Sequence, residues 1–323
     1  MKTRMTLLLS SLIAFNSLAA ESATFSLSMD NDGLFAYDQE YTNGLFASYT
    51  TSELPSQRRL SWLSLSSHSL DKYEFVLGQK MYTPRDLSAE EPLANQRPYA
   101  GVLLGEVNYI SILPQRVART NFTLGTVGEH SLAAKAQRLV HDITDSEFPN
   151  GWDNQVEEGI VANVGYLNHL AWYRSAPSND NQFEVANISE ANLGTLRSDV
   201  SSGLMFRWGE NLTSSFGSAN IDNEMPFRAS LLGRGKESWF AYTGAEIRYR
   251  FSDVTLEGDR PEILHPERYP ITLEKLQATA VAGFAWYNEN FGASLTAAIG
   301  TIEYQESQDN YHANASFSLF FFL

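Results

Sequence analysis

The chain is 323 residues long, has no cysteine and carries a formal charge of −15. The missing cysteines exclude a disulfide framework, and the acidic balance excludes a nucleic-acid partner, which would need a basic surface. No segment reaches eighteen consecutive apolar residues, which excludes helical membrane spans.

Lys2 and Arg4 precede an apolar stretch over 5–15, with small residues at Ser17, Ala19 and Ala20. This pattern predicts a secretory signal peptide over 1–20, with a core too short to cross a membrane as a helix. Its removal takes two of the 23 basic residues and leaves a mature domain, 21–323, at −17. The first strand is predicted over 24–29 and runs into Asp30, Asn31, Asp32 and Gly33; Tyr41, Thr42, Asn43 and Gly44 then open a second, over 44–52. Carboxylate and amide oxygens at this density suit a hard cation such as calcium. The same residues also make an ordinary turn.

A polar loop over 53–70 leads to a strand at 73–81. A second polar loop, 82–99, carries Arg85 and delivers Arg97, Pro98 and Tyr99 to a strand at 100–112. An arginine there either grips a phosphate or carboxylate with its fork of donors or closes a salt bridge at a rim. After a strand at 118–126 the pattern changes: Leu132, Ala136, Leu139, Val140 and Ile143 recur at helical spacing. That predicts an amphipathic helix from Ser131, as N-cap, to about Asp145, with Pro149 and Gly151 ending the element. Gln137 and His141 are four apart and share a face of it. Histidine is a natural general base toward water, and Glu147 lies just past the helix, where the chain can turn back to the imidazole. A packing role for His141 is the competing expectation.

Further strands are predicted at 159–172, 182–193, 197–208, 239–256, 275–287, 291–305 and 310–323, separated by polar loops that include 174–181, 209–227 and 257–274. Alternation is clearest late in the chain. Trp239, Ala241, Thr243, Ala245, Ile247, Tyr249 and Phe251 share one face, opposite Glu246, Arg248 and Arg250. Ala313, Ala315, Phe317, Leu319, Phe321 and Leu323 share another, opposite Asn314, Ser316 and Ser318, until Phe320 and Phe322 break the rule. Strands with an apolar and a charged face suit a barrel with lipid outside and a polar lumen. A soluble sandwich would turn the apolar face inward. The signal peptide and the aromatic C-terminal strand favour lipid. The expectation is an all-β fold: a twelve-stranded antiparallel transmembrane barrel in the Gram-negative outer membrane, with a short helix in an extracellular loop. A helix between two barrel strands points to function.

Several pieces occur in a fixed order: Asn31-Asp32, Tyr41-Thr42-Asn43-Gly44, Tyr82-Thr83-Pro84, Arg97-Pro98-Tyr99-Ala100-Gly101, Leu124-Gly125-Thr126-Val127-Gly128 leading to Gln137 and His141, and Gly151-Trp152 with Gln155. In order and spacing they resemble the lipid A 3′-O-deacylases, through about residue 208. The resemblance implies a calcium-dependent hydrolase that removes the 3′-O-linked acyl or acyloxyacyl chain from lipid A of lipopolysaccharide, its site lying between the barrel wall and the helix. It implies His141 as the base on water, Glu147 as its acidic partner, Thr42 as an active-site hydroxyl, and Asn31 and Asp32 as calcium ligands. Arg97, Arg85 and Gln137 are the expected substrate contacts, and a monomer the expected state. The chain departs from the family where Asn95-Gln96, rather than an acidic residue, precede Arg97, and where Glu129 replaces the proline of a Val-Gly-Pro turn. Two alternatives stand beside this: a non-enzymatic porin-like barrel, and a serine-type outer-membrane phospholipase. Against the second, no Gly-x-Ser-x-Gly elbow is present.

Overall fold

The computed structural model describes residues 22–32, 40–55, 60–145, 148–176, 181–232, 235 and 237–323. The predicted signal peptide and Glu147 lie outside the described residues.

Twelve antiparallel strands close into a barrel. They are β1 (Thr24–Asn31), β2 (Glu40–Thr50), β3 (Leu70–Thr83), β4 (Ala100–Leu113), β5 (Arg116–Val127), β6 (Gly159–Arg174), β7 (Gln182–Gly194), β8 (Arg197–Gly209), β9 (Ser238–Asp253), β10 (Leu276–Tyr287), β11 (Phe291–Thr301) and β12 (Tyr311–Phe322). Each pairs with its sequence neighbour, and β12 closes on β1 with Thr24 opposite Phe322. Closure removes every sheet edge, as a strand fold in lipid requires. The start of β1 and the end of β12 meet at one end of the barrel, where the Leu323 N–H donates to Ala23 O; the connections from β3 to β4, β5 to β6 and β9 to β10 lie at the opposite, outer end.

Side chains alternate as the strands predict. On β9, Thr243, Ala245, Ile247, Tyr249 and Phe251 are exposed, while Glu246, Arg248 and Arg250 are buried in the lumen. Lumen charges pair densely: Arg248 contacts Asp199, Glu190 and Glu246 at 2.7, 3.3 and 2.9 Å. Such pairing offsets the desolvation that an isolated interior charge would suffer.

The stretch expected as a polar loop over 209–227 is instead a plug. Leu212, Phe216, Ala219, Ile221, Phe227 and Leu232 are buried inside the barrel. Arg207 holds the turn by donating to Leu212 O at 2.6 Å and Ser215 O at 2.8 Å. The plug also explains why Phe320 and Phe322 break alternation. Both point inward, and Phe320 stacks on Phe227 with ring centroids 5.7 Å apart. Inward aromatics are stable where an apolar plug, rather than water, faces them.

The predicted helix forms as α1 (Ala133–Thr144). Its N-cap is Leu132 in a left-handed conformation rather than Ser131, although Ser131 Oγ still accepts the Ala133 N–H at 3.2 Å. Asp145, also left-handed, ends it through an N–H to His141 O. The predicted strand 239–256 stops at Asp253, because that side chain caps the one-turn helix α2 (Val254–Glu257) by accepting from the Thr255 N–H.

Candidate active site

Alternation divides the first sequence cluster. Asp30 points into the lumen, where its carboxylate accepts from Tyr41 Oη at 2.8 Å. Asn31 and Asp32 follow at the open end of β1, and Asp32 is buried. Asn31 Nδ2 donates to Thr42 O at 3.3 Å, and Asp32 N–H to the same oxygen at 3.4 Å. The ends of β1 and β2 are thus interlocked.

Thr42 occupies an irregularity. Tyr41 pairs with Tyr82 but Asn43 pairs with Met81, so Thr42 is the extra residue of a bulge. Bulges re-aim side chains. Here Thr42 Oγ1 lies 2.6 Å from Thr83 Oγ1, and both hydroxyls are buried. Thr83 is on the outer face of the wall: Tyr82 before it reaches inward to Glu224, and Met81 packs outward against Ala133 and Trp152. Thr83 was present in the sequence motif but without an assigned role.

Helix α1 seats on this outer wall. Gly101 permits the contact, since a Cβ there would fall 2.5 Å from Ala133 Cβ and 2.1 Å from Ser131 Oγ. Gln79 Nε2 donates to Ser131 O at 2.7 Å. The approach to the helix is fixed by Glu158, which accepts from the His130 N–H at 2.8 Å and from the Thr126 hydroxyl. Burial disfavours the charge on Glu158, but these donors outweigh it and hold its carboxyl below the ordinary value.

The helix is turned opposite to a soluble amphipathic helix. Its wall face is Ala133, Gln137 and His141, all buried. The apolar stripe that marked it in sequence points away, with Leu139, Val140 and Ile143 exposed by 61, 51 and 74%. Beside a lipid-facing wall that orientation is the stable one. Gln137 Oε1 accepts the indole N–H of buried Trp152 at 2.7 Å, and Trp152 packs on Tyr99 with centroids 4.9 Å apart. Gln137 Nε2 is buried and has no hydrogen-bond partner among the described residues.

Below Gln79 the outer wall forms an apolar trough of about 660 Å³, lined by Leu27, Met29, Leu45, Ala47, Leu77 and Leu103 among others. Its upper row, Met29, Leu45 and Gln79, is one same-face step below Asn31, Asn43 and Met81.

Arg97 is not in this arrangement. Its side chain is fully buried, 3.0 Å from Glu303 and 3.7 Å from Glu40, with Thr255 Oγ1 at 3.1 Å. The guanidinium also covers the Tyr82 ring at 4.3 Å. Of the two roles the sequence allows, the arginine takes the rim salt bridge; its Nε is buried and has no hydrogen-bond partner among the described residues. Burial works against both charges, yet Glu303 and Glu40 keep the Arg97 pKa raised. Arg250 and Arg97 likewise hold Glu303 below its usual 4.5. Arg85 does lie exposed at the outer end, 2.8 Å from Asp309.

Asn31, Asp32, Thr42 and Thr83 therefore form one cluster, and Gln137 and His141 face the same wall from α1. Among the described residues no group of three or more His, Cys, Asp or Glu side chains converges on a metal site. The donors at Asn31 and Asp32 nonetheless suit calcium in kind. An amide and a buried carboxylate stand side by side, and the ion habitually completes its shell with carbonyls and water.

The profile of the family described as "Outer membrane protein LpxR" matches residues 5–323. Among solved structures, LpxR from Salmonella typhimurium superposes with a TM-score of 0.79 at 16% identity, covering 93% of this chain and 100% of that one. The KdgM porin in complex with oligogalacturonate also aligns, over 93% of this chain and 98% of that one, at 6% identity and a TM-score of 0.36. No curated protein matches the sequence. With a closed twelve-stranded barrel, a helix against its outer wall and a family profile spanning nearly the whole chain, this protein belongs to the LpxR family of outer membrane proteins.

Proposed function

We propose that the protein is a hydrolase that removes the 3′-O-linked acyl chain from lipid A of lipopolysaccharide, using a water activated by His141 and assisted by calcium. One observation carries this. Asn31 and the Thr42–Thr83 hydroxyl pair lie on the outer face of the wall, with buried Asp32 at the same strand end, above an apolar trough, while the plug occupies the lumen. A channel would need the reverse, an open lumen lined by its working polar groups. A site on the lipid side suits an ester whose acyl chain lies in the membrane and whose head group sits at the outer end.

In this reading the acyl chain lies along Leu45, Ala47 and Leu77, and the ester carbonyl rests beside Thr42. His141 takes a proton from water as the water attacks that carbonyl, and returns it to the departing sugar oxygen. Glu147 holds the ring in the productive tautomer. The Thr42 hydroxyl, fixed by Thr83, orients the ester. Asn31 and Asp32 would hold the calcium ion, which when bound polarises the carbonyl and stabilises its developing negative charge. Gln137, its oxygen engaged by Trp152, contributes its remaining N–H to the substrate, and Arg85 meets the phosphorylated head group at the outer end.

Mass spectrometry of lipid A from cells with and without the protein tests this. Loss of one 3′-linked acyl or acyloxyacyl chain is the expected result. Unchanged lipid A with altered glycerophospholipids would replace the reading with a phospholipase.

A further inference from the structure

We propose that Tyr41 is a positioning residue for this site, fixing Thr42 and the Asn31–Asp32 strand end from the opposite, lumen side of the wall. The proposal rests on the reading of that site as an ester hydrolase. Thr42 sits in a bulge, where the regular ladder does not dictate its direction. Thr83 holds its hydroxyl on the outer face at 2.6 Å, and a second anchor, on its backbone, lies behind the wall. The residue before it, Tyr41, passes its hydroxyl across Gly44 to Asp30, donating at 2.8 Å. Gly44 pairs with Asp30 in the ladder, and a Cβ on it would lie 1.9 Å from the Tyr41 oxygen. Glycine is therefore required for this reach.

Asp30 and Tyr41 flank the site residues directly in sequence, and the backbone repeats the link. Asn43 Nδ2 donates to Asp30 O at 3.0 Å, and Thr42 O accepts from Asn31 Nδ2 and Asp32 N. Residues 30–32 and 41–43 thus form one clamp, with side chains locked on both faces of the wall. The lumen plug completes it. Met225 N–H donates to the same Asp30 oxygen at 2.8 Å. The adjacent Glu224 accepts from Tyr82 Oη and Lys80 Nζ at 2.5 Å each. Tyr82 in turn packs on Tyr41 with ring centroids 5.3 Å apart. The three strands bearing Asp32, Thr42 and Thr83 are tied from behind to two consecutive plug residues. The plug closes the barrel and also holds the geometry of a site it never touches.

The experiment compares initial rates on lipid A for the purified parent protein, Tyr41→Phe, Gly44→Ala and the double variant, alongside the temperature of the heat-modifiable unfolding transition. Tyr41→Phe keeps the ring and removes only the hydroxyl. Gly44→Ala displaces that hydroxyl without altering Tyr41. Misplaced reacting groups cost between about tenfold and a hundredfold in rate. Each single variant should therefore lose at least about tenfold in kcat, with KM within about twofold, at a temperature where heat-modifiability shows the barrel fully folded. The double variant should lose no more than the worse single, because both act through one hydrogen bond. A Tyr41→Phe kcat within twofold of the parent overturns the proposal. So does a loss that multiplies in the double variant, or one that disappears when rates are normalised to the folded fraction, which would assign Tyr41 to stability alone. A parent that leaves lipid A intact overturns the functional reading itself; an active parent with an equally active Tyr41→Phe overturns only the positioning role.

Discussion

If α1 presents His141 to the wall, loosening its seat should open the helix without unfolding the barrel. Trp152→Phe is the sharpest perturbation. The indole N–H that reaches Gln137 Oε1 at 2.7 Å is lost, leaving a buried amide oxygen unsatisfied. That orphan costs about 1–3 kcal/mol, and the smaller ring's reduced contact with Tyr99 adds to it. The strands keep their own ladder, so the cost falls on the local opening of α1 rather than on the barrel. A penalty of this size raises a local opening constant by roughly 5- to 150-fold. Hydrogen exchange followed by mass spectrometry reads it directly: peptides spanning 133–144 should exchange faster by about that factor, with strand peptides unchanged. Exchange across α1 at the parental rate, or acceleration spread equally over the strands, would refute the reasoning.

Three further outcomes are expected. The ion cluster of Glu303, Arg97 and Arg250 ties the outer end together, and Glu303 is held below 4.5. A depressed carboxyl stabilises the fold above its ordinary pKa and loses that contribution as pH falls through its folded value; thermal transitions measured below about pH 4.5 should therefore fall in the parent and fall less steeply in Glu303→Gln. Chelation with excess EDTA should abolish deacylation and added calcium restore it, and Asp32→Ala should behave as the chelated protein does; full turnover in either case would remove calcium from the account. The exposed stripe on α1 should sit in lipid, so Leu139→Asp with Ile143→Asp should depress turnover on lipid A in bilayers by severalfold more than in detergent micelles, and equal losses in both would contradict that orientation.

Much of the barrel was legible because period-two alternation is a direct consequence of strand geometry. All twelve strands were placed, with ends displaced where a polar run such as Leu70–Lys72 continues the ladder or where Asp253 caps a helical turn instead. The plug was not legible. Residues 209–227 read as a polar loop, and their scattered apolar side chains acquire meaning only when a closed barrel surrounds them. The inward Phe320 and Phe322 were the one visible trace. The direction of α1 was hidden for a similar reason, since its apolar stripe is conspicuous whether it meets a core or a membrane. Arg97 shows the limit of motif chemistry: the guanidinium suits a carboxylate and a phosphate equally, and only the fold supplies Glu40 and Glu303. The division of Asp30 from Asn31 between lumen and exterior follows from alternation, yet in sequence Asp30, Asn31 and Asp32 look like a single cluster.

His141 carries the chemistry proposed for this site. General-base catalysis is typically worth ~10²–10⁴ in rate. The decisive measurement is the rate of release of the 3′-linked acyl chain from lipid A by purified His141→Ala protein, with calcium present and heat-modifiability confirming a folded barrel. A loss of about that magnitude in an otherwise folded protein is the predicted result. Near-parental turnover would contradict it and move the search for the nucleophile to a serine.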